Sequence, residues 1–377
     1  MIDAVALTQT LVRMNTISPP GNEDQCCNYL FRLLSAAGFS CALYEFAPRR
    51  TSLVAKIGDP NCGKAPLCFT GHVDVVPLGA APWTYEPFAA EIVDGKLYGR
   101  GSSDMKSGVA AFVAAALDLA AKLKDGPGLV LVITAGEETG CEGAFDLARR
   151  QQLEHILGTA GAMVVAEPTA NYPLVGHKGA LWLTARTTGV TAHGSMPEYG
   201  DNAIYKAARA VTALEKFEFG QAPHPLMGPA TLNVGTIHGG ININSVPDAT
   251  AIGVDIRTIP GISHPALRGC LCQHLGADVQ LDTVLDVESV YTDPADPWVQ
   301  QVFGVMAPLL GEMPQARSVA FFTDAAALTG AFDSPPTLIL GPGEPHLAHQ
   351  TDEYCQVSRI EQAVVAYRQI IRDWCAL

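Results

Sequence analysis

Ala65-Pro66-Leu67-Cys68-Phe69-Thr70-Gly71-His72-Val73-Asp74-Val75-Val76 is the stretch from which the rest of the chain is read. An apolar run leads into a histidine and an aspartate one residue apart. In a strand, side chains alternate, so His72 and Asp74 face the same way. Open α/β sheets place their ligand sites at the carboxyl ends of such buried strands. A histidine beside a carboxylate there suits a metal ligand oriented by a neighbouring acid. A buried histidine bonded to a nearby aspartate is the plainer alternative for this motif alone.

The same arrangement recurs along the chain. Leu129–Thr134 and Ala162–Ala166 are short continuous apolar runs, as in buried strands of a parallel or mixed sheet. The first leads into Glu137 and Glu138, the second into Glu167. Adjacent carboxylates repel unless a cation is close. Asp104 lies in Gly99-Arg100-Gly101-Ser102-Ser103-Asp104, before an apolar helix expected over 105–122. A place near the N-cap accounts for a lone aspartate there. Near the end, the apolar run Pro336–Gly341 leads into a segment carrying His346 and His349, and chemistry alone does not choose between them. Two histidines with Asp104, Glu138 and Glu167 suit a pair of zinc ions.

Further elements are read from spacing. Helical patterns cover 3–14 and 23–37, and strand-like runs cover 39–46, 52–57 and 66–70. From residue 179 the pattern changes to strands at about 181–188, 230–238, 249–258 and 278–288. Helices lie between them, one capped at Asp201-Asn202 and one near 263–275. This β-α-β-β-α-β order is that of a ferredoxin-like unit. Mixed α/β character returns at 296–312 and 335–341, and a helix closes the chain at 357–374. The architecture expected is an α/β domain in two parts, 1–178 and 290–377, interrupted by an inserted α+β domain over 179–289.

Composition bounds the function. The chain has 377 residues, 48% hydrophobic and 16% charged, enough apolar material for full cores. Its net charge of −14, with no basic cluster, argues against a general nucleic-acid binder. The ten cysteines form no C-x-x-C pair, which argues against a structural zinc site. The first residues lack the features of a signal peptide, and no apolar stretch is long enough for a membrane span. A cytoplasmic protein with reduced thiols, and no membrane or nucleic-acid partner, is expected.

These motifs, in this order, resemble the co-catalytic di-zinc amidohydrolases. That family includes acetylornithine deacetylase, succinyl-diaminopimelate desuccinylase, aminoacylases and glutamate carboxypeptidases. The resemblance covers essentially the whole chain. It implies a zinc-aminopeptidase-like catalytic domain with a central mixed sheet, and it identifies the insertion as a dimerisation lid. His72 and Glu167 would be terminal ligands of one zinc, Glu138 and His349 of the other, and Asp104 would bridge, with cobalt or manganese able to substitute. The family's closing His-x-x-Asp-Glu pattern selects His349 over His346. Asp74 would orient His72, and Glu137 would be the general base. The Asp104–Met105 linkage would be cis.

In the lid, His193 would reach the partner subunit's site in a homodimer and polarise the scissile carbonyl. Asn244 and Arg257 would bind the substrate carboxylate. His177-Lys178-Gly179 and Leu232–Gly240 look more like the acetylornithine deacetylases than the desuccinylases. The expected activity is therefore deacylation of a linear amide, N-acetylornithine foremost, in arginine biosynthesis. The alternatives are desuccinylation of succinyl-diaminopimelate, carboxypeptidase or dipeptidase activity, and a catalytically silent binder of metal and amino acid.

Overall fold

The computed structural model describes residues 2–377. The chain divides into two compact units. The first runs to Gly176 and resumes over Tyr291–Arg317 and Thr323–Leu377; the second comprises His177–Val290 and Ser318–Phe322.

The first unit is built on a six-stranded sheet. Its strands are β1 (Ser40–Ala47), β2 (Arg50–Ile57), β3 (Leu67–His72), β4 (Leu129–Thr134), β5 (Ala162–Val165) and, near the C-terminus, β10 (Thr337–Ile339). Their order across the sheet is β1-β2-β4-β3-β5-β10. The first two pairings are antiparallel and the rest parallel, so the sheet is mixed. Strands β3, β4 and β5 are buried along their whole length, which is why they read as unbroken apolar runs.

Helices α1 (Ala4–Val12), α2 (Asp24–Ala36), α3 (Ser107–Leu123), α4 (Glu142–Glu154), α7 (Pro297–Leu310), α8 (Ala325–Ala331) and α9 (Val357–Cys375) complete this unit. Asp3 caps α1 and Asp296 caps α7, each accepting from two amides of the first turn. Helix α3 packs on α9 and α1, and α4 on α8. The start of α3 lies tight against the backbone at the end of β5. A Cβ on Gly108 would come within 2.1 Å of the Ala166 carbonyl oxygen, so only glycine fits there.

The second unit has strands β6 (Gly179–Thr188), β7 (Thr231–Gly239), β8 (Ala249–Thr258) and β9 (Val279–Val287), with helices α5 (Ala203–Glu215) and α6 (His264–Leu275). The order β7-β8-β6-β9, antiparallel throughout, is ferredoxin-like. Alternate residues of β6 and β8 face a core of Leu181, Leu183, Ile252, Val254 and Ile256, closed by Ala207, Leu214 and Leu271 from the helices. Asn202 caps α5 through its side chain. The strip Ser318–Phe322 joins this unit because Lys178 N donates to Val319 O (3.2 Å) and Ser318 Oγ to Leu226 O (3.2 Å).

In the first unit, Val175 stands where the chain repeatedly leaves for the second. Its N–H donates to Arg317 O and its carbonyl accepts from Thr292 N, both at 2.9 Å. Among the described residues, no helix is long and apolar enough to cross a membrane. All ten cysteines are free thiols.

Candidate active site

The carboxyl ends of β3, β4 and β5 converge. His72 closes β3 and is 1% exposed. Its Nδ1 lies 3.0 Å from Asp74 O and 3.5 Å from Asp74 Oδ1, which assigns the Nδ1 proton to that side and leaves Nε2 facing inward. Nε2 is 3.2 Å from Asp104 Oδ1, 3.7 Å from Glu167 Oε1 and 3.9 Å from Glu137 Oε2.

Asp74 lies just past the strand end and does more than face His72. Its two oxygens accept the backbone N–H groups of Glu137 (3.2 Å) and Glu138 (3.1 Å). One buried carboxylate thus fixes the turn after β4 as well as the ring at the end of β3. Burial opposes its charge, yet His72 and these amides hold its pKa below the ordinary range.

Asp104 divides its oxygens between two imidazoles. Oδ1 faces His72 Nε2, and Oδ2 lies 3.4 Å from His349 Nε2. His349 Nε2 is also 3.0 Å from Glu138 Oε2. His346, by contrast, has Nδ1 4.0 Å from Glu344 and a largely exposed side chain.

Asp104 is not an N-cap as its sequence position suggested. Helix α3 begins at Ser107, with Lys106 as its cap residue. Asp104 sits in the preceding turn, Ser102–Lys106, where Asp104 and Met105 have non-helical dihedrals and their peptide bond is cis. The amides of this turn go instead to Glu353. Its Oε1 accepts from Ser103 N (2.8 Å) and Asp104 N (3.0 Å), and its Oε2 accepts from Gly101 N (3.1 Å) and Arg100 Nη1 (2.7 Å). The Asp104 carboxylate is thereby left for the histidines. Gly343 lets the loop before His349 reach this turn, since a Cβ there would meet Ser103 O at 2.1 Å.

Burial and charge crowding dominate the electrostatics. Burial, reinforced by neighbouring acids, pushes Glu137 and Glu167 well above the ordinary carboxylate range. Burial and Asp104 raise Glu138 to about 7. Burial opposes ionisation of Asp104, but His349 and His72 overcome it and hold its pKa low. Hydrogen bonds to Asp104 and Glu138 raise His349 to about 10. For His72, burial favours the neutral ring, yet Glu167, Asp104 and Asp74 raise its pKa well above the ordinary value. Acids packed this closely resist sharing their charge without a cation.

The donor set fits divalent metal. Ligand atoms of His72, Glu137 and Glu167, and those of His72, Asp104 and Glu138, lie within 4.8 Å of one another. Imidazole and carboxylate in this mixture suit zinc and its neighbours.

Two residues beyond the expected set belong to the cluster's frame. Glu353 closes the Asp104 turn. Asp324, 1% exposed, accepts from Thr134 Oγ1 at the end of β4, and burial raises its pKa to about 6. They lie in Phe321-Phe322-Thr323-Asp324 and His349-Gln350-Thr351-Asp352-Glu353, where nothing local marks either carboxylate as buried.

The remaining expected residues lie on the second unit. His193 Nδ1 accepts from Ser195 N (3.2 Å) and sits 2.8 Å from Ser195 Oγ, which places the ring proton on exposed Nε2. Asn244 O accepts from Gly194 N at 2.7 Å, and its side chain is exposed. Arg257 turns Nε and Nη2 to Asp255 beside the Trp182 ring, with the carboxylate at 3.0 Å. Among the described residues, its hydrogen bonds and ion pair run through Nε and Nη2 alone.

A buried cluster of imidazoles and carboxylates at the carboxyl ends of a mixed α/β sheet defines a metal-dependent hydrolase. The model of Peptidase family M20/M25/M40 matches residues 68–373, and the chain belongs to that family. It is a metal-dependent amidohydrolase of the family's α/β fold. Among similar proteins, a succinyl-diaminopimelate desuccinylase of Ruegeria pomeroyi is 32% identical, with 100% of both chains covered. An acetylornithine deacetylase of Proteus mirabilis is 31% identical over 94% of this chain and 91% of that protein. Among solved structures, an M20 family metallo-carboxypeptidase from Sulfolobus solfataricus has a TM-score of 0.81 at 18% identity, with 100% of both chains covered.

Proposed function

We propose that the protein hydrolyses the amide bond of an N-acyl amino acid, with N-acetylornithine as first substrate and N-succinyl-diaminopimelate as runner-up. The observation that carries the reading is the Asp104 carboxylate, which offers one oxygen toward His72 and the other toward His349. A residue so placed suits a bridge between two cations. His72 and Glu167 would hold one zinc ion, and Glu138 and His349 the other. When bound, such ions lower the pKa of water and polarise a carbonyl.

The protein's own groups supply the rest. Glu137 is buried, and its carboxylate points toward His72 at 3.9 Å. Among the described residues, the hydrogen-bond donor to its side chain is the Cys141 thiol, a weak one at 3.9 Å. Its oxygens are thus available to take a proton from the attacking water and return it to the leaving amine. Asp74 holds Glu137 in place through its backbone. By the family resemblance, His193 of the partner subunit would offer its Nε2 proton to the developing oxyanion, and Arg257 with Asn244 would hold the substrate carboxylate.

The acetyl preference rests on the His177-Lys178-Gly179 and Leu232–Gly240 motifs. The runner-up rests on the nearly equal identities to relatives of both names. A homodimer fits the lid surface, where edge strand β7 has a single ladder partner and Ile241 and Ile243 are exposed. Free thiols suit a reducing cytoplasm.

The test is hydrolysis of N-acetylornithine, N-succinyl-diaminopimelate, other N-acyl amino acids and dipeptides by zinc-loaded protein, each beside a chelated control. Chelator-sensitive turnover highest for N-acetylornithine is expected. Highest turnover of the succinyl compound, or of dipeptides, replaces the acetyl reading. In the same assay, mixing exchanging His193→Ala and Glu137→Ala subunits should restore part of the activity.

A further inference from the structure

The opposite end of the central sheet holds a cavity of about 500 Å³. It lies where β3 and β4 begin and β2 ends, lined by Ile57, Pro66, Leu129, Val130 and Leu157. Those two parallel strands have their carboxyl ends at the metal-ligand cluster. At roughly 3.3 Å per residue they separate the two places by about 17–20 Å. The volume is that of a small-molecule pocket, and such pockets are mostly apolar with a few placed polar groups.

The charged groups of this cavity are Lys56, Lys64 and Asp59. Lys64 is used: its Nζ donates to Trp374 O at 2.7 Å and sits 4.0 Å from the centre of the Trp374 ring. Asp59 turns back on its own loop, accepting from Asn61 N at 2.9 Å. Lys56 has neither hydrogen bond nor ion pair among the described residues, although its side chain is half-buried. Its Nζ stands by the Gly158 turn, 3.6 Å from where a Cβ would be. An amine left alone against an apolar hollow is complementary to an apolar molecule with one negative charge.

We propose that this cavity binds a small organic anion with an apolar body, an aryl or alkyl carboxylate, whose charge pairs with Lys56. The site is separate from the metal-ligand cluster and independent of the reaction assigned to it. Burial lowers the pKa of the Lys56 amine, and an anion beside it would reverse that effect.

4-Phenylbutyrate is the probe, titrated into metal-loaded protein carrying labelled Ile, Leu and Val methyl groups. Saturable NMR shifts are expected at Ile57, Leu129, Val130 and Leu157. Lys56→Met should weaken binding by about ten-fold or more, the range of a lost charge-assisted hydrogen bond, and Lys56→Arg should retain it. A second readout needs no substitution: the Lys56 Nζ resonance should titrate at higher pH when the probe is bound. Unmoved methyl groups at about 10 mM probe, equal affinity in Lys56→Met, or an unchanged Lys56 titration would each overturn the proposal.

Discussion

Glu353→Gln is the substitution that most directly probes how the site is held. Glu353 and Arg100 are 0% and 1% exposed, with Arg100 Nη1 2.7 Å from Oε2. Each carboxylate oxygen accepts two donors: Ser103 N and Asp104 N on Oε1, Gly101 N and Arg100 Nη1 on Oε2. Glutamine is the same size but has one acceptor oxygen. Whichever way its amide turns, an NH₂ group faces two donors, and Arg100 loses its counter-charge. Removing one partner of a buried ion pair costs about 3–5 kcal/mol. Urea unfolding followed by tryptophan fluorescence measures this, with Trp83 reporting nearby because the Arg100 guanidinium lies 5.1 Å from its ring. Bound metal should fall too, since the Asp104 backbone loses its anchor. Glu361→Gln, the same exchange at an exposed position of α9, is the control and should lie within about 0.5 kcal/mol of wild type. A Glu353→Gln protein as stable as that control, with full metal content, would refute the reasoning.

Glu137→Gln should keep its metal and lose roughly 100- to 10,000-fold in kcat, the span of general acid–base catalysis; metal analysis beside the rate assay separates the two effects. Chelation should lower Tm in calorimetry, because an ion at 1,000 times its Kd contributes about 4 kcal/mol, and an unchanged Tm counts against a metal in the cluster. His177 is fully buried, and burial lowers its pKa from 6.5 to about 4. The unfolded chain therefore binds its proton more readily between pH 6.5 and 4. Its stability contribution is complete above pH 6.5 and is lost on acidification through that window, up to roughly 3 kcal/mol; His177→Phe should flatten this part of the urea-denaturation pH profile. Cys270 and Cys272 are exposed while Cys26, Cys27, Cys68 and Cys355 are buried, so a thiol reagent should label the first pair fast and the second group only on unfolding.

The sequence reveals a residue when its local context is distinctive. His72, Glu137, Glu138 and Glu167 follow unbroken apolar runs, too short for buried helices and carrying β-branched or aromatic residues, so they read as buried strands whose ends present their next polar residues together. The second unit's alternating strands are legible because one face of β6 and β8 packs on helices and the other does not. Asp104 is harder, since an acid before an apolar helix reads equally as a cap; the distinction lies in Glu353, some 250 residues away, which takes the amides that a cap would take. Helix α4 is obscured by its polar composition, with Arg149, Arg150, Gln151 and Gln152 in succession, and α8 by its short length. Asp324 carries no signal at all, because burial of a lone carboxylate is a property of the surroundings and not of its neighbours in sequence.

Val175 has a consequence for how such a chain could arise. Its backbone is hydrogen-bonded to both Thr292 and Arg317, so three of the points where the chain passes between units, at Gly176, Tyr291 and Arg317, gather around one buried residue. Hydrogen-bonded neighbours of this kind stand about 5 Å apart, a gap that a short turn spans. For the host sheet, whatever is spliced between Val175 and Thr292 is only a loop with its ends already met. Loop-closure entropy rises by about 0.6 kcal/mol per doubling of length, and an insert with its own core relieves even that. The second unit can therefore be read as a cassette: the host sheet accommodates its length, and evolution could vary the insert without redesigning the strands that carry the metal-ligand cluster.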